Sequence, residues 1–260
     1  MTEYEAVILD VDGTIVRGES LIPDVTDGLR ALEQAGCSRL LFSNNPTRSA
    51  DHYAELLEPH GVAVEPELVL TSATVSAAYL GETHPDEQVF VVGGDRLEAI
   101  LETAGVETTA DPEAAEVVLG SFDDQFSYDI LSTALEALSD GVPFYGTDPD
   151  VTIPADDGVK PGTGAILAAM EAVAGREPDA VLGKPSSVAA TAAIDRLDVP
   201  PERTLVVGDR LETDVALGAN AGMATAVVLS GITDRRSLES STIEPDYVLE
   251  SLGEVETLLE

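Results

Sequence analysis

VILDVDGT, residues 7–14, runs three apolar residues straight into two aspartates one residue apart and then a glycine. A strand without a polar face reads as buried on both sides, as parallel strands covered by helices are. Ending it on two like charges requires a reason outside the strand. The same pattern recurs along the chain. Candidate strands are Ala6–Asp12, Arg39–Ser43, Leu68–Ser72, Gln88–Gly93, Glu116–Gly120, Pro143–Thr147, Ala180–Gly183, Thr204–Gly208 and Ala224–Ser230. Helical patterns fall between them at Asp24–Ala35, Thr47–Leu57, Thr71–Leu80, Tyr128–Leu138, Thr163–Ala174 and Ser187–Leu197. Glycines at 36 and 175, in QAG and VAG, suit left-handed helix ends. Such alternation predicts an α/β fold on a doubly wound parallel sheet.

Nine strands are many for one sheet of a 260-residue chain. The middle of the sequence holds three strand–helix units of its own, between the loop-like stretches GETHPDEQ (81–88) and GREPDA (175–180). Residues 80–178 therefore read as an inserted α/β domain, with residues 1–79 and 179–260 as the two parts of a core.

Composition narrows the setting. There are 49 acidic against 13 basic residues, a net charge of -36. The acids are spread between apolar strands, which excludes a disordered acidic tail. A surface so negative repels phosphate backbones, which excludes nucleic acid as a partner. Lysine occurs only at 160 and 184, and the other basic residues are arginines. Such a surface is self-repelling until about 1 M salt shortens the screening length to about 3 Å, and the composition resembles that of a salt-in, archaeal halophile. No apolar run approaches the length of a transmembrane helix, and MTEYEAVILDVD lacks the pattern of a leader peptide. A single cysteine, Cys37, excludes an internal disulfide, and a cytoplasmic setting is expected. The sequence leaves a homo-oligomer open.

Ligands of open α/β sheets bind beyond the carboxyl ends of the strands. Past the first strand stand Asp10, Asp12, Gly13 and Thr14; past the second, SNNPTRS (43–49); past AVLG, Lys184 and Pro185; past TLVVG, Asp209 and, five residues on, Asp214. Four carboxylates held close would partly remain protonated unless a cation joined them. Oxygen donors without histidine or cysteine at ligand spacing select a hard cation, Mg²⁺ in the usual case. A lysine and a serine beside it would bind phosphate, and a carboxylate could attack phosphorus in line. A second acid, pointing differently, could move the protons.

DVDGT (10–14), FSNN (42–45), GKP (183–185) and GDRLETD (208–214), in this order, resemble the four motifs of the haloacid dehalogenase-like phosphatases. RG (17–18), NNPTRS (44–49), DGVKPGTGAI (157–166) and GANAGMATAVVLSGIT (218–233) are similar to a branch with a large α/β cap between the second and third motifs. That branch contains the N-acetylglucosamine-operon phosphatases, 4-nitrophenylphosphatases and phosphoglycolate phosphatases. The resemblance implies a Rossmann-like core with an inserted cap, and a Mg²⁺-dependent hydrolase of a small phosphorylated metabolite working through an aspartyl-phosphate. It implies Asp10 as nucleophile and metal ligand, and Asp12 as general acid and base with its backbone carbonyl on the metal. It implies Ser43, Asn44 and Lys184 at the phosphoryl group, and Asp209 and Asp214 at the metal. One departure is TDPD (147–150), where related sequences often carry Thr-Asn-Pro-Asp; it puts in doubt a substrate contact by Asp148.

Other features read as structural. VVGGDRLEAI (91–100) nearly copies VVGDRLETD (206–214), but Ile100 stands where the second acid would be. It reads as a strand-to-helix turn capped by an aspartate. His52, His60 and His84 lack ligand spacing, and Cys37 reads as packed. GVKPGTG (158–164) lacks the ending of a nucleotide-binding loop and reads as a helix entry capped by Thr163, as Thr47 would cap the helix after the second motif. Arg17, Arg48 and Arg210 lie beside motifs and within reach of a substrate. The alternatives are a phosphorylatable receiver-type signalling domain, which is about half this length, and a non-catalytic scaffold.

Overall fold

The computed structural model describes residues 4–18, 20–139, 141–155 and 158–259. Met1–Glu3 and Asp157, which open two of the stretches quoted above, lie outside them. The chain divides into two compact units, one of residues 1–43, 50–70 and 189–260, the other of residues 44–49 and 71–188.

The first unit is built on a six-stranded sheet in the order Tyr247–Leu249, Ala224–Val228, Thr204–Gly208, Ala6–Leu9, Ser38–Ser43, Val69–Thr71. Numbered along the chain, that is the 3-2-1-4-5-6 order of a doubly wound sheet, reversing direction between Ala6–Leu9 and Thr204–Gly208. The register there is parallel, with Ala6 opposite Thr204 and Leu9 opposite Val207. Every residue of Ala6–Leu9 is buried, as the missing polar face anticipated. Helix Val25–Ala35 turns Val25, Gly28, Leu29 and Leu32 inward at helical spacing. Gly36 ends it at φ 76, returning its N–H to Glu33 and Leu32.

The second unit carries a five-stranded sheet in the order Ala180–Val181, Phe144–Gly146, Val117–Gly120, Val89–Val92, Thr108–Thr109. Here the structure departs from the sequence reading: Ala180–Val181 pairs with Tyr145 and Gly146 and not with the six-stranded sheet. The compact unit accordingly runs to Val188, past the expected boundary at 178. A two-residue edge strand carries no signal of which sheet receives it. Two strand pairs were too short or too exposed to read, the hairpin Val16–Arg17 with Ser20–Leu21 and the hairpin Thr152–Ala155 with Gly158–Pro161. Two expected caps are corrected. Gly162, not Thr163, caps helix Thr163–Ala174, because the Thr163 hydroxyl is used on Asp148. Gly94, not Asp95, caps the decoy helix Asp95–Thr103.

Asp148 is buried in the second unit. Its Oδ2 accepts from the hydroxyls of Thr163 at 2.7 Å and Thr147 at 3.0 Å, and Thr147 shares a 2.8 Å hydrogen bond with Ser121. Burial, and then the charge of Asp150, pushes the carboxyl up to about 7 against the lowering effect of those hydroxyls. An unfolded aspartate titrates near about 3.9, so between the two values the native state holds the extra proton. The stabilisation is complete below about pH 4 and is lost as pH rises through 7. Asp148→Asn should remove that loss. Denaturant midpoints of the two proteins across this range should diverge, and parallel curves would contradict the assignment.

Candidate active site

The reversal point of the six-stranded sheet gathers the acids of the first unit. Asp10 follows Leu9, with its N–H on the Val207 carbonyl at 2.9 Å. Asp209 follows Gly208 on the neighbouring strand. Asp214 lies in a single π-helical turn, Leu211–Val215, a distortion frequent at functional sites. That turn folds its carboxylate back, so that Oδ2 accepts from the Arg210 N–H at 3.1 Å. Among the described residues, Asp10, Asp209 and Asp214 form the group able to hold a metal ion, with one oxygen of each lying within 4.8 Å of the others. All three are buried.

Glycines make this crowding possible. A Cβ on Gly13, where φ is +100, would stand 2.2 Å from Asp209 Oδ2; one on Gly231 would stand 1.9 Å from it. A Cβ on Gly208 would stand 2.2 Å from Asp214 Cγ. Asp209 is held further by the Ile232 N–H on Oδ2 at 2.7 Å and the Thr233 N–H on its backbone carbonyl at 3.0 Å.

Asp12 lies outside that group and faces different partners. Its Oδ2 accepts from Ser43 Oγ at 3.2 Å and from the Tyr53 hydroxyl at 3.3 Å, and Tyr53 also donates to Ser43 at 2.9 Å. The two acids of the opening motif thus have separate surroundings, since Asp10 Oδ2 accepts from the Thr14 hydroxyl at 3.2 Å. Tyr53 escaped the sequence reading. It sits on helix Ala50–Leu57, buried, at a position that reads as an ordinary core contact. That helix starts at Ala50 and not at Thr47, whose N–H and hydroxyl both go to Asn45 Oδ1.

Asn44 and Lys184 belong to the second unit and are clasped together there. Asn44 Nδ2 donates to the Lys184 carbonyl at 3.0 Å, and the Lys184 N–H donates to Asn44 Oδ1 at 2.9 Å. The Asn44 side chain therefore fixes the lysine backbone, while Ser72 Oγ donates to the Asn44 carbonyl at 2.7 Å. Lys184 is almost fully buried. The decoy Asp95 is in neither constellation. Cys37 is buried with Sγ on the Tyr4 carbonyl at 3.3 Å, and burial pushes its thiol up. His84 is used between Glu87 and Tyr145.

The three-acid group suits a hard cation. Its donors are all oxygen, and one oxygen of each acid lies within 4.8 Å of the others, near enough for a single ion to be shared. Three buried carboxylates at this range repel strongly, and a divalent cation removes that cost.

Comparison with known proteins agrees with this architecture. A family model described as haloacid dehalogenase-like hydrolase matches residues 7–107, and a related hydrolase-like model matches residues 181–255. The acid sugar phosphatase of Staphylococcus epidermidis is 32% identical over 253 residues, 97% of each chain. The p-nitrophenyl phosphatase of Archaeoglobus fulgidus superposes with a TM-score of 0.93 at 34% identity, covering 98% of this chain and 99% of its own. NagD of Escherichia coli K-12 superposes with a TM-score of 0.86 at 28% identity, covering 98% of each. The chain belongs to the haloacid dehalogenase-like hydrolase family, and it is a phosphatase.

Because Gly231 abuts the Asp209 carboxylate, Gly231→Ala should displace that acid. If the three acids hold a metal ion, the metal concentration giving half-maximal phosphatase activity should rise about 10- to 100-fold, the range typical of disturbed metal-ligand support. An unchanged metal titration would show that the contact is not needed.

Proposed function

We propose that the protein is a Mg²⁺-dependent hydrolase of small phosphate monoesters that works through a phosphorylated Asp10. The observation that carries this reading is the convergence of Asp10, Asp209 and Asp214 within 4.8 Å, with Asp12 held apart by Ser43 and Tyr53. Asp10, Asp209 and Asp214, with the backbone carbonyl of Asp12, would hold the ion. When bound, Mg²⁺ supplies positive charge to the phosphoryl oxygens and removes the repulsion among the acids.

In this reading an Asp10 carboxylate oxygen attacks phosphorus, and the bond from phosphorus to the leaving oxygen breaks. Asp12 delivers its proton to that oxygen, so an alcohol departs. Asp12, now ionised, takes a proton from water as the water attacks the aspartyl-phosphate. The bond from phosphorus to Asp10 breaks, and inorganic phosphate and the two starting acids are restored. The separation of surroundings matters because one acid must stay ionised to attack while the other carries a proton. Ser43, Asn44 and Lys184 are assigned to the phosphoryl group by their motifs; within the second unit, the clasp orders the Lys184 backbone. The name of the staphylococcal relative supports a sugar phosphate as substrate.

Asp10→Asn should abolish turnover while leaving the fold intact, because the amide is isosteric and lacks the nucleophilic oxygen charge. In acid-quenched wild type, the peptide carrying Asp10 should gain the mass of one phosphoryl group. Full activity in the variant would refute the nucleophile. A panel of sugar phosphates, phosphoglycolate, nucleoside monophosphates and 4-nitrophenyl phosphate would rank the substrates.

The charge of -36 supports a second element of the proposal, a cytoplasm rich in salt as the working environment. Among the described residues, no helix is long and apolar enough to cross a membrane. Exposed ion pairs such as Arg30–Asp27 contribute little each, so screening by salt must carry most of the relief from repulsion. Diluting KCl from about 1 M should therefore bring on unfolding, followed by circular dichroism. Equal stability at about 0.1 M would contradict this.

A further inference from the structure

The loop that follows strand Ala224–Val228 is tied back to the first motif at two points. Ser230 Oγ donates to the Gly13 carbonyl at 2.9 Å. The guanidinium of Arg17, on the hairpin of Val16–Arg17 with Ser20–Leu21, donates to the Ser230 carbonyl. The next three residues of the same loop set the position of Asp209, through the Gly231 backbone, the Ile232 N–H and the Thr233 N–H. The Asp209 carboxylate thus lies against two backbone walls, Gly13 and Gly231. Ser230 and Arg17 fasten those walls to each other.

We propose that Arg17 is a positioning residue for the cation site: by anchoring Ser230 it fixes the loop that aims the Asp209 carboxylate. The inference rests on the reading of the three-acid group as a Mg²⁺ site. It assigns the arginine a role different from substrate contact, and the two roles separate cleanly. A substrate contact would leave Mg²⁺ affinity intact and raise KM. A simple charge effect would act with the opposite sign, because a cation beside a cation site opposes divalent binding and its removal would tighten it. Positioning alone predicts that deleting a positive charge weakens the binding of a positive ion.

The test is calorimetric titration of Mg²⁺ alone into the full chain in high KCl, without substrate. Wild type should bind, and Asp209→Asn should abolish binding. Arg17→Ala should bind about tenfold more weakly, the lower end of the range for lost support of a metal ligand. Ser230→Ala should show a similar loss, and the double variant should lose less than the two losses combined, since both act through one loop. Arg17 is exposed, so its truncation opens no core cavity. Should that variant nevertheless fail to fold, Ser230→Ala, which deletes a single hydroxyl, carries the same expectation. Affinity equal to or tighter than wild type in these variants overturns the positioning role alone. Absence of Mg²⁺ binding in wild type overturns the metal site and this inference with it.

Discussion

Mutual repulsion among Asp10, Asp209 and Asp214 is the constraint around which the first unit is arranged. Each carboxylate is buried, and each comes from a segment that the fold could have sent elsewhere. Two parallel strands side by side deliver Asp10 and Asp209, and a π-helical turn brings Asp214 to them. Glycines at 13, 208 and 231 then let backbone close on the acids where any side chain would collide. Three buried carboxylates are thereby brought to one place, a pattern common at functional sites.

A second consequence of the same arrangement is the division of labour between Asp10 and Asp12. They are neighbours but one in sequence, a spacing that would share one face of a strand, but the strand ends at Leu9 and alternation does not hold them together. Asp10 is drawn toward the other buried acids, and Asp12 toward two hydroxyls. Two chemically identical residues thereby acquire unlike environments from partners distant in sequence.

Much of this was legible in the residues themselves. All nine expected strands overlap an observed strand, because apolar runs of Val and Leu bounded by glycine or acid have few other interpretations. The helix ends at Gly36 and Gly175 followed from the left-handed conformation that glycine adopts without the penalty other residues meet. What stayed hidden depends on contacts distant in sequence. Nothing local marks Ala180–Val181 as an edge of the five-stranded sheet, or Tyr53 as the partner of Asp12. Thr47 and Thr163 looked like helix caps because their hydroxyls suit that role, yet Asn45 and Asp148 took those hydroxyls instead. GANAGMATAVVLSGIT carries only a similarity in the sequence, and its hold on Asp209 emerges once strands far apart in the chain lie side by side.

The pairing of Ala6–Leu9 with Thr204–Gly208 also bears on how the protein is made. A ribosome releases the amino-terminal strand long before its neighbour exists, and synthesis at about 5–20 residues per second leaves that edge open for many seconds. A fully apolar strand with unsatisfied N–H and C=O groups is a template for aggregation over such an interval. The dense negative charge of the emerging chain would keep nascent copies apart while they wait.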